Sequence, residues 1–149
     1  MTIAHELAKR IAATEYDDVS AAALRYAKIG LLDTLGVGIA GSAQDAAMIA
    51  RAVVGSGAGS SLIWGTTKRT VPLDTAFLNG VAANVLDFDD CTDNLGGHPS
   101  APILPALLAL AEERNATGRD VLAAYVAGFE TETQIGVGGG SPLHGCLLE

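Results

Sequence analysis

Aromatic residues are scarce in this 149-residue chain: three Phe, three Tyr and one Trp make up 5% of it. A β-sandwich or barrel relies on aromatic and β-branched cross-strand pairs, and that supply is too thin to build one. Cations are scarce as well. Nine Lys and Arg stand against seventeen Asp and Glu, a net charge of −8, and the nine do not cluster. A surface that neutralises a phosphate backbone is excluded on those numbers, so no nucleic-acid partner is expected. The two cysteines, Cys91 and Cys146, are far apart and belong to no C-x-x-C pair. Neither a disulfide-dense scaffold nor a zinc knuckle is indicated, and a reducing, cytoplasmic setting is expected.

Long apolar runs are missing too. The stretch Ala101 to Ala111 is the longest kind present, well short of the roughly 20 residues that cross a bilayer. The opening residues Met1 to Arg10 mix charges with apolar side chains and lack the continuous apolar centre of an export signal. No membrane partner is expected.

What the chain has in quantity is small residues, 26 Ala and 18 Gly, which suit helices packed closely together. Ile3, Leu7 and Ile11 recur at helical spacing and predict a short opening helix. Leu24, Ala27, Leu31, Leu32, Leu35 and Ile39 predict a longer central one, stopped near Gly41-Ser42, and Asp45 to Val54 a third. Ser61-Leu62-Ile63-Trp64 is the one convincing strand, with a turn over 65–70 and a short return at Val71. Asp74 or Thr75 could cap a helix reaching about Leu86, with Phe77, Val81 and Val85 on one face. A polar break spans Asp87 to Ser100. Ile103, Leu107, Leu110 and Ala111 mark a fifth helix, and Val121, Leu122, Tyr125, Val126 and Phe129 a sixth. The expected fold class is all-α: a bundle of about six helices with at most one small β-hairpin, over residues 1–136. Residues 137–149 form a Gly-rich tail without period, expected to be a flexible terminus or the product of an interrupted reading frame.

Three motifs invite a chemical reading. Gly36-Val37-Gly38-Ile39-Ala40-Gly41 matches the G-x-G-x-x-G of dinucleotide sites, but it sits in a helical rather than a strand period and no acid follows between Asp45 and Asp74. Close helix packing is the better account. Asp87-Phe88-Asp89-Asp90-Cys91-Thr92-Asp93 places four carboxylates within seven residues, and repulsion within such a run demands compensation. Its Asp89-Asp90-Cys91-Thr92-Asp93 portion fits the D-D-x-x-D by which all-α prenyl-type proteins hold magnesium and diphosphate, though no second acidic cluster is present. Finally, His98 sits in the turn Gly96-Gly97-His98-Pro99-Ser100, leading into a helix whose free N–H groups suit an anionic substrate. A His beside acids is a candidate general acid or base.

The segment from Leu78-Asn79-Gly80 through Asp87-Phe88-Asp89-Asp90, followed by Gly97-His98-Pro99-Ser100-Ala101-Pro102, resembles the MmgE/PrpD family. Leu31-Leu32-Asp33-Thr34-Leu35-Gly36, Leu62-Ile63-Trp64-Gly65 and Gly128-Phe129-Glu130 extend the likeness over about residues 1–136. The resemblance implies a helical domain, completed in full members by later helices and a smaller α/β lid, that removes water or carbon dioxide from small tricarboxylates without metal or other cofactor. It implies catalytic roles for Asp87 and His98. The family threonine follows the acids directly, whereas here Cys91 intervenes and Thr92, a catalytic candidate, comes next, which leaves that role open between the two; Asn84 stands where members often carry His. The family's later His-Pro motif and lysines are absent, and His144 precedes Gly145. The expectation is the N-terminal portion of a 2-methylcitrate dehydratase-like lyase of propionate metabolism, inactive alone and forming a homodimer or other oligomer. The alternatives are a non-catalytic helical dimerisation module, recognisable by an exposed apolar face, and the prenyl-type magnesium–diphosphate protein.

Overall fold

The computed structural model describes residues 2–55 and 57–138. Six helices and one two-stranded sheet follow in the order α1 (Ile3–Ala13), α2 (Ala21–Gly41), α3 (Asp45–Val54), β1 (Ser61–Leu62), β2 (Arg69–Thr70), α4 (Pro72–Asn84), α5 (Ser100–Arg114) and α6 (Gly118–Gly138). The all-α bundle with a small hairpin is the fold found. The strands pair antiparallel, Ser61 with Thr70 and Leu62 with Arg69. Of the Gly-rich tail, residues 139–149 lie outside the described residues; Val137 and Gly138 are the last residues of α6.

Local chemistry sets the helix starts. The Ser20 hydroxyl accepts from the Ala23 N–H at 3.2 Å to open α2. Thr117 and Asp120 cap α6 reciprocally, through Thr117 N–H to Asp120 at 2.9 Å and Asp120 N–H to Thr117 at 3.2 Å, so α6 starts before the first apolar position that the periodicity marks. α4 starts at Pro72, ahead of the expected Asp74 or Thr75 cap, because a first-turn proline has no N–H to leave unpaired. Thr75 is buried instead, and its hydroxyl donates to the Ser61 carbonyl at 3.2 Å.

The bundle centres on α4, α5 and α2, with Ala27, Trp64, Ala83, Ala101, Leu104 and Tyr125 forming the core. Buried polar groups tie the hairpin to the helices. The Asn79 side chain accepts from Trp64 N–H at 2.9 Å and donates to the Leu62 carbonyl at 3.0 Å, while Ser61 donates to the Ala109 carbonyl at 2.6 Å. The Trp64 N–H would otherwise be buried unpaired.

Ala27, Leu31 and Leu35 of the expected α2 face pack on the core, but other expected inward positions point outward. α4 turns Thr75, Leu78, Asn79, Ala82 and Ala83 inward and leaves Phe77 55% exposed; α2 buries Ala27, Thr34, Gly38 and Gly41 and leaves Leu32 73% exposed. The cause is the closeness of the helices. A Cβ on Gly38 would come within 2.5 Å of the Trp64 ring, and one on Gly41 would overlap the Ala82 carbonyl of α4. The Gly36–Gly41 motif is therefore a packing surface.

Gly36 meets nothing within 4 Å of an added Cβ, which makes it the control for Gly38. Gly38→Ala is expected to destabilise the fold by about 1–3 kcal/mol through overpacking. Gly36→Ala is expected to stabilise it by about 0.5–1 kcal/mol through helix propensity. Urea denaturation of the two variants would measure both, and equal effects would refute the packing account.

Candidate active site

α4 ends at Asn84, and the chain reverses through Asp87, whose N–H donates to the Asn84 carbonyl at 3.0 Å and whose φ is +54°. Asp tolerates this left-handed conformation better than most residues. The reversal places Asp87 and Asp89 on either side of His98. His98 Nε2 lies 3.3 Å from Asp87 Oδ1, and His98 Nδ1 lies 3.2 Å from Asp89 Oδ2. The two acids differ sharply in setting: the Asp87 side chain is 80% exposed, that of Asp89 0% and that of His98 28%.

His98 reaches this point on a loop closed by its own main chain. Thr92 N–H donates to the Gly97 carbonyl at 3.1 Å, and the Leu95 and Gly96 N–H groups donate to the Thr92 carbonyl at 3.2 and 2.9 Å. Gly96 supplies a φ of +66° at no steric cost. The loop rests on α6 at Gly136, where an added Cβ would come within 2.9 Å of Leu95 Cα.

Asp90 fixes the start of α5. Its carboxylate accepts from the Ser100 N–H at 3.0 Å and from the Ser100 hydroxyl at 2.5 Å, and the same hydroxyl lies 2.5 Å from the Tyr125 hydroxyl. The helix N-terminus that the sequence offers to an anionic substrate is thus already capped by a carboxylate of the chain, and Pro102 in its first turn has no N–H to add.

The acids do not gather as a magnesium–diphosphate cluster: Asp89 faces His98, Asp90 binds Ser100, and Asp93 is exposed. Asp87, Asp89 and His98 offer ligand atoms within 4.8 Å of one another. Each carboxylate also faces its own nitrogen of the ring, Asp87 at Nε2 and Asp89 at Nδ1.

Of the residues marked by the sequence, Asp87 and His98 come together, while Thr92 enters through its main chain as the closure of the loop. Asp89 was missed as a site residue. The spacing Asp87-Phe88-Asp89 carries no signal for it, since Asp87 and Phe88 are both exposed and only Asp89 turns inward. Burial pushes the Asp89 carboxyl above the usual carboxylate range, against the pull of its own backbone N–H, His98 and Asn84. Burial, aided by the charge on Asp90, likewise raises Glu132 on α6.

Comparison with known proteins adds a family. Residues 5–145 match the MmgE/PrpD N-terminal domain. The chain is 37% identical over 119 residues to a cis-aconitate decarboxylase of Homo sapiens and 35% identical over 119 residues to that of Mus musculus, in each case covering 75% of this chain and 24% of the relative. A cis-aconitate decarboxylase-like protein of Aspergillus oryzae is 30% identical over 140 residues, 88% of this chain and 29% of that one. The chain therefore spans about a quarter of the length of the curated relatives it matches.

A carboxyl that holds its proton more tightly folded than unfolded loses stability for the fold as pH rises from the ordinary carboxylate range to the raised value, and the deficit persists above it. Asp89→Asn removes that deficit. Calorimetry should find the variant melting a few degrees higher at pH 7 but not at pH 3, where both side chains are neutral; an equal gain at both values would contradict the assignment.

Proposed function

The chain belongs to the MmgE/PrpD family, and from that premise we propose that it is the N-terminal part of a lyase that eliminates water or carbon dioxide from a small tricarboxylate by acid–base chemistry. The reading extends to a cytoplasmic homodimer, with no metal or other cofactor. Cis-aconitate is the first candidate substrate, after the names of the relatives, and 2-methylcitrate of propionate metabolism the second. The single observation that carries the reading is His98 held edge-on between Asp87 and Asp89.

Such a reaction needs a group to take a proton beside a carboxylate and a group to return one to the carbon or to the departing hydroxyl. His98 Nε2, facing the exposed Asp87, is placed to move protons at the surface of the bundle. Holding the substrate is a different matter. Three carboxylates, those of Asp87, Asp89 and Asp90, surround the position, and among the described residues no Lys or Arg forms an ion pair with any of them. Their field opposes a tricarboxylate. The cations that bind it must come from elsewhere, and on that ground the chain alone is proposed to be inactive.

The purified chain is expected to show no turnover of cis-aconitate or 2-methylcitrate, while either compound at millimolar concentration shifts the ring resonances of His98 in NMR spectra. Turnover that survives His98→Ala, or a His98 signal that neither tricarboxylate moves, would overturn the proposal.

A second reading, a non-catalytic module that pairs through helical faces, is favoured by one observation. Ile29, Leu32 and Ile39 form an exposed apolar row on α2, and Leu73 and Phe77 another on α4, with Leu73 80% exposed. Sedimentation equilibrium should then show a dimer that Leu32→Glu returns to monomer with unchanged helical circular dichroism. A chain monomeric at every concentration tested would dispose of this reading.

A further inference from the structure

The two carboxylates beside His98 are chemically alike and differ in freedom. Asp89 is fully buried; its two oxygens and His98 Nδ1 are buried polar atoms with no well-aligned hydrogen bond, and Oδ2 and Nδ1 lie 3.2 Å apart. Asp87 stands at the surface on a backbone reversal. A buried carboxylate costs free energy unless donors reach it, and His98 Nδ1 is the ring nitrogen that faces this one, beside the pulls of its own backbone N–H and Asn84, whereas an exposed carboxylate can turn to water at little cost.

We propose that Asp89 is the positioning residue of this site: it holds the hydrogen of His98 on Nδ1, so that Nε2 is the nitrogen that exchanges protons and Asp87 is the mobile group across from it. The inference rests on the lyase reading for its purpose but not for its geometry. When the doubly protonated ring gives its Nε2 proton to a substrate carbon or to a departing hydroxyl, it is left neutral with the Nδ1 hydrogen on the Asp89 side. Taking a proton from the substrate at Nε2 restores the cation. Nδ1 bonds to no new atom in either direction, and the ring does not rotate between the two steps. Asp89 touches no substrate and acts through His98 alone.

Long-range proton–nitrogen NMR of the full chain labelled at histidine nitrogen reads the tautomer directly. The His98 signals are identified by their loss in His98→Gln, which separates them from those of His5 and His144. At alkaline pH, where the ring is neutral, the unaltered chain is expected to carry the hydrogen on Nδ1. Asp89→Ala is expected to move most of the population to Nε2–H, the form an unconstrained imidazole side chain prefers, and Asp87→Asn to leave it on Nδ1. Should Asp89→Ala fail to fold by circular dichroism, Asp89→Asn keeps the shape, and a mixture of tautomers is the expected result. An Nε2–H ring in the unaltered chain, or a tautomer indifferent to residue 89, would overturn the proposal. No turnover enters this measurement, so a correct tautomer in a chain whose His98 ignores both tricarboxylates would sink the lyase reading and leave the positioning role standing.

Discussion

The closeness of α2 to its neighbours governs the rest of the structure. At three crossings there is no room for a side chain: Gly30 lies against the Tyr125 hydroxyl, Gly38 against the Trp64 ring, and Gly41 against the Ala82 carbonyl. The two aromatic side chains of the core are thus each seated on a glycine, which is how a chain so poor in aromatics fills its centre without voids. Tyr125 carries the constraint onward. Its hydroxyl meets Ser100, and Ser100 meets Asp90, so the depth of one helix crossing sets where α5 starts and where the acidic turn is anchored.

That turn handles an electrostatic difficulty by division. Four carboxylates within seven residues would repel strongly if they shared one environment. Instead Asp87 faces solvent and one edge of the imidazole, Asp89 the other edge from inside, and Asp90 the first turn of a helix, where the dipole favours a negative charge, while Asp93 is exposed. Burial, with the charge on Asp90 adding to it, still raises Glu132 on α6, so the division is incomplete. The acids that face His98 also make the surface around it unwelcoming to an anion.

Element boundaries were more legible in the sequence than burial was. α3 runs from Asp45 to Val54 as its punctuation indicates, and the break between α4 and α5 falls where the acids and glycines put it. Periodicity assumes that the larger apolar residue points inward. In α2 and α4 many inward positions go to Gly, Ala, Thr and Asn beside Leu31, Leu35 and Leu78, and Leu32 and Phe77 are left outside, because distance between helices is a tertiary quantity that no single helix encodes. The site was half legible for a related reason. Asp87 and His98 could be marked as chemical types in a turn, but the role of Asp89 depends on which way a backbone with positive φ at Asp87 sends the next residues, and Thr92 proved to matter through its N–H and carbonyl.

The seat that Gly136 offers to Asn94 and Leu95 couples two parts of the chain that share no chemistry. The loop ending in His98 leans on the last turn of α6, while Asp89 is delivered by the turn after α4. The histidine and its buried acid therefore hang from different supports, and a shift of the end of α6 changes the gap between them without touching either group. Position 136 is a spacer: bulk added there would push Asn94 and Leu95 off α6, and with them the loop that carries His98, as a shim sets the gap between two plates.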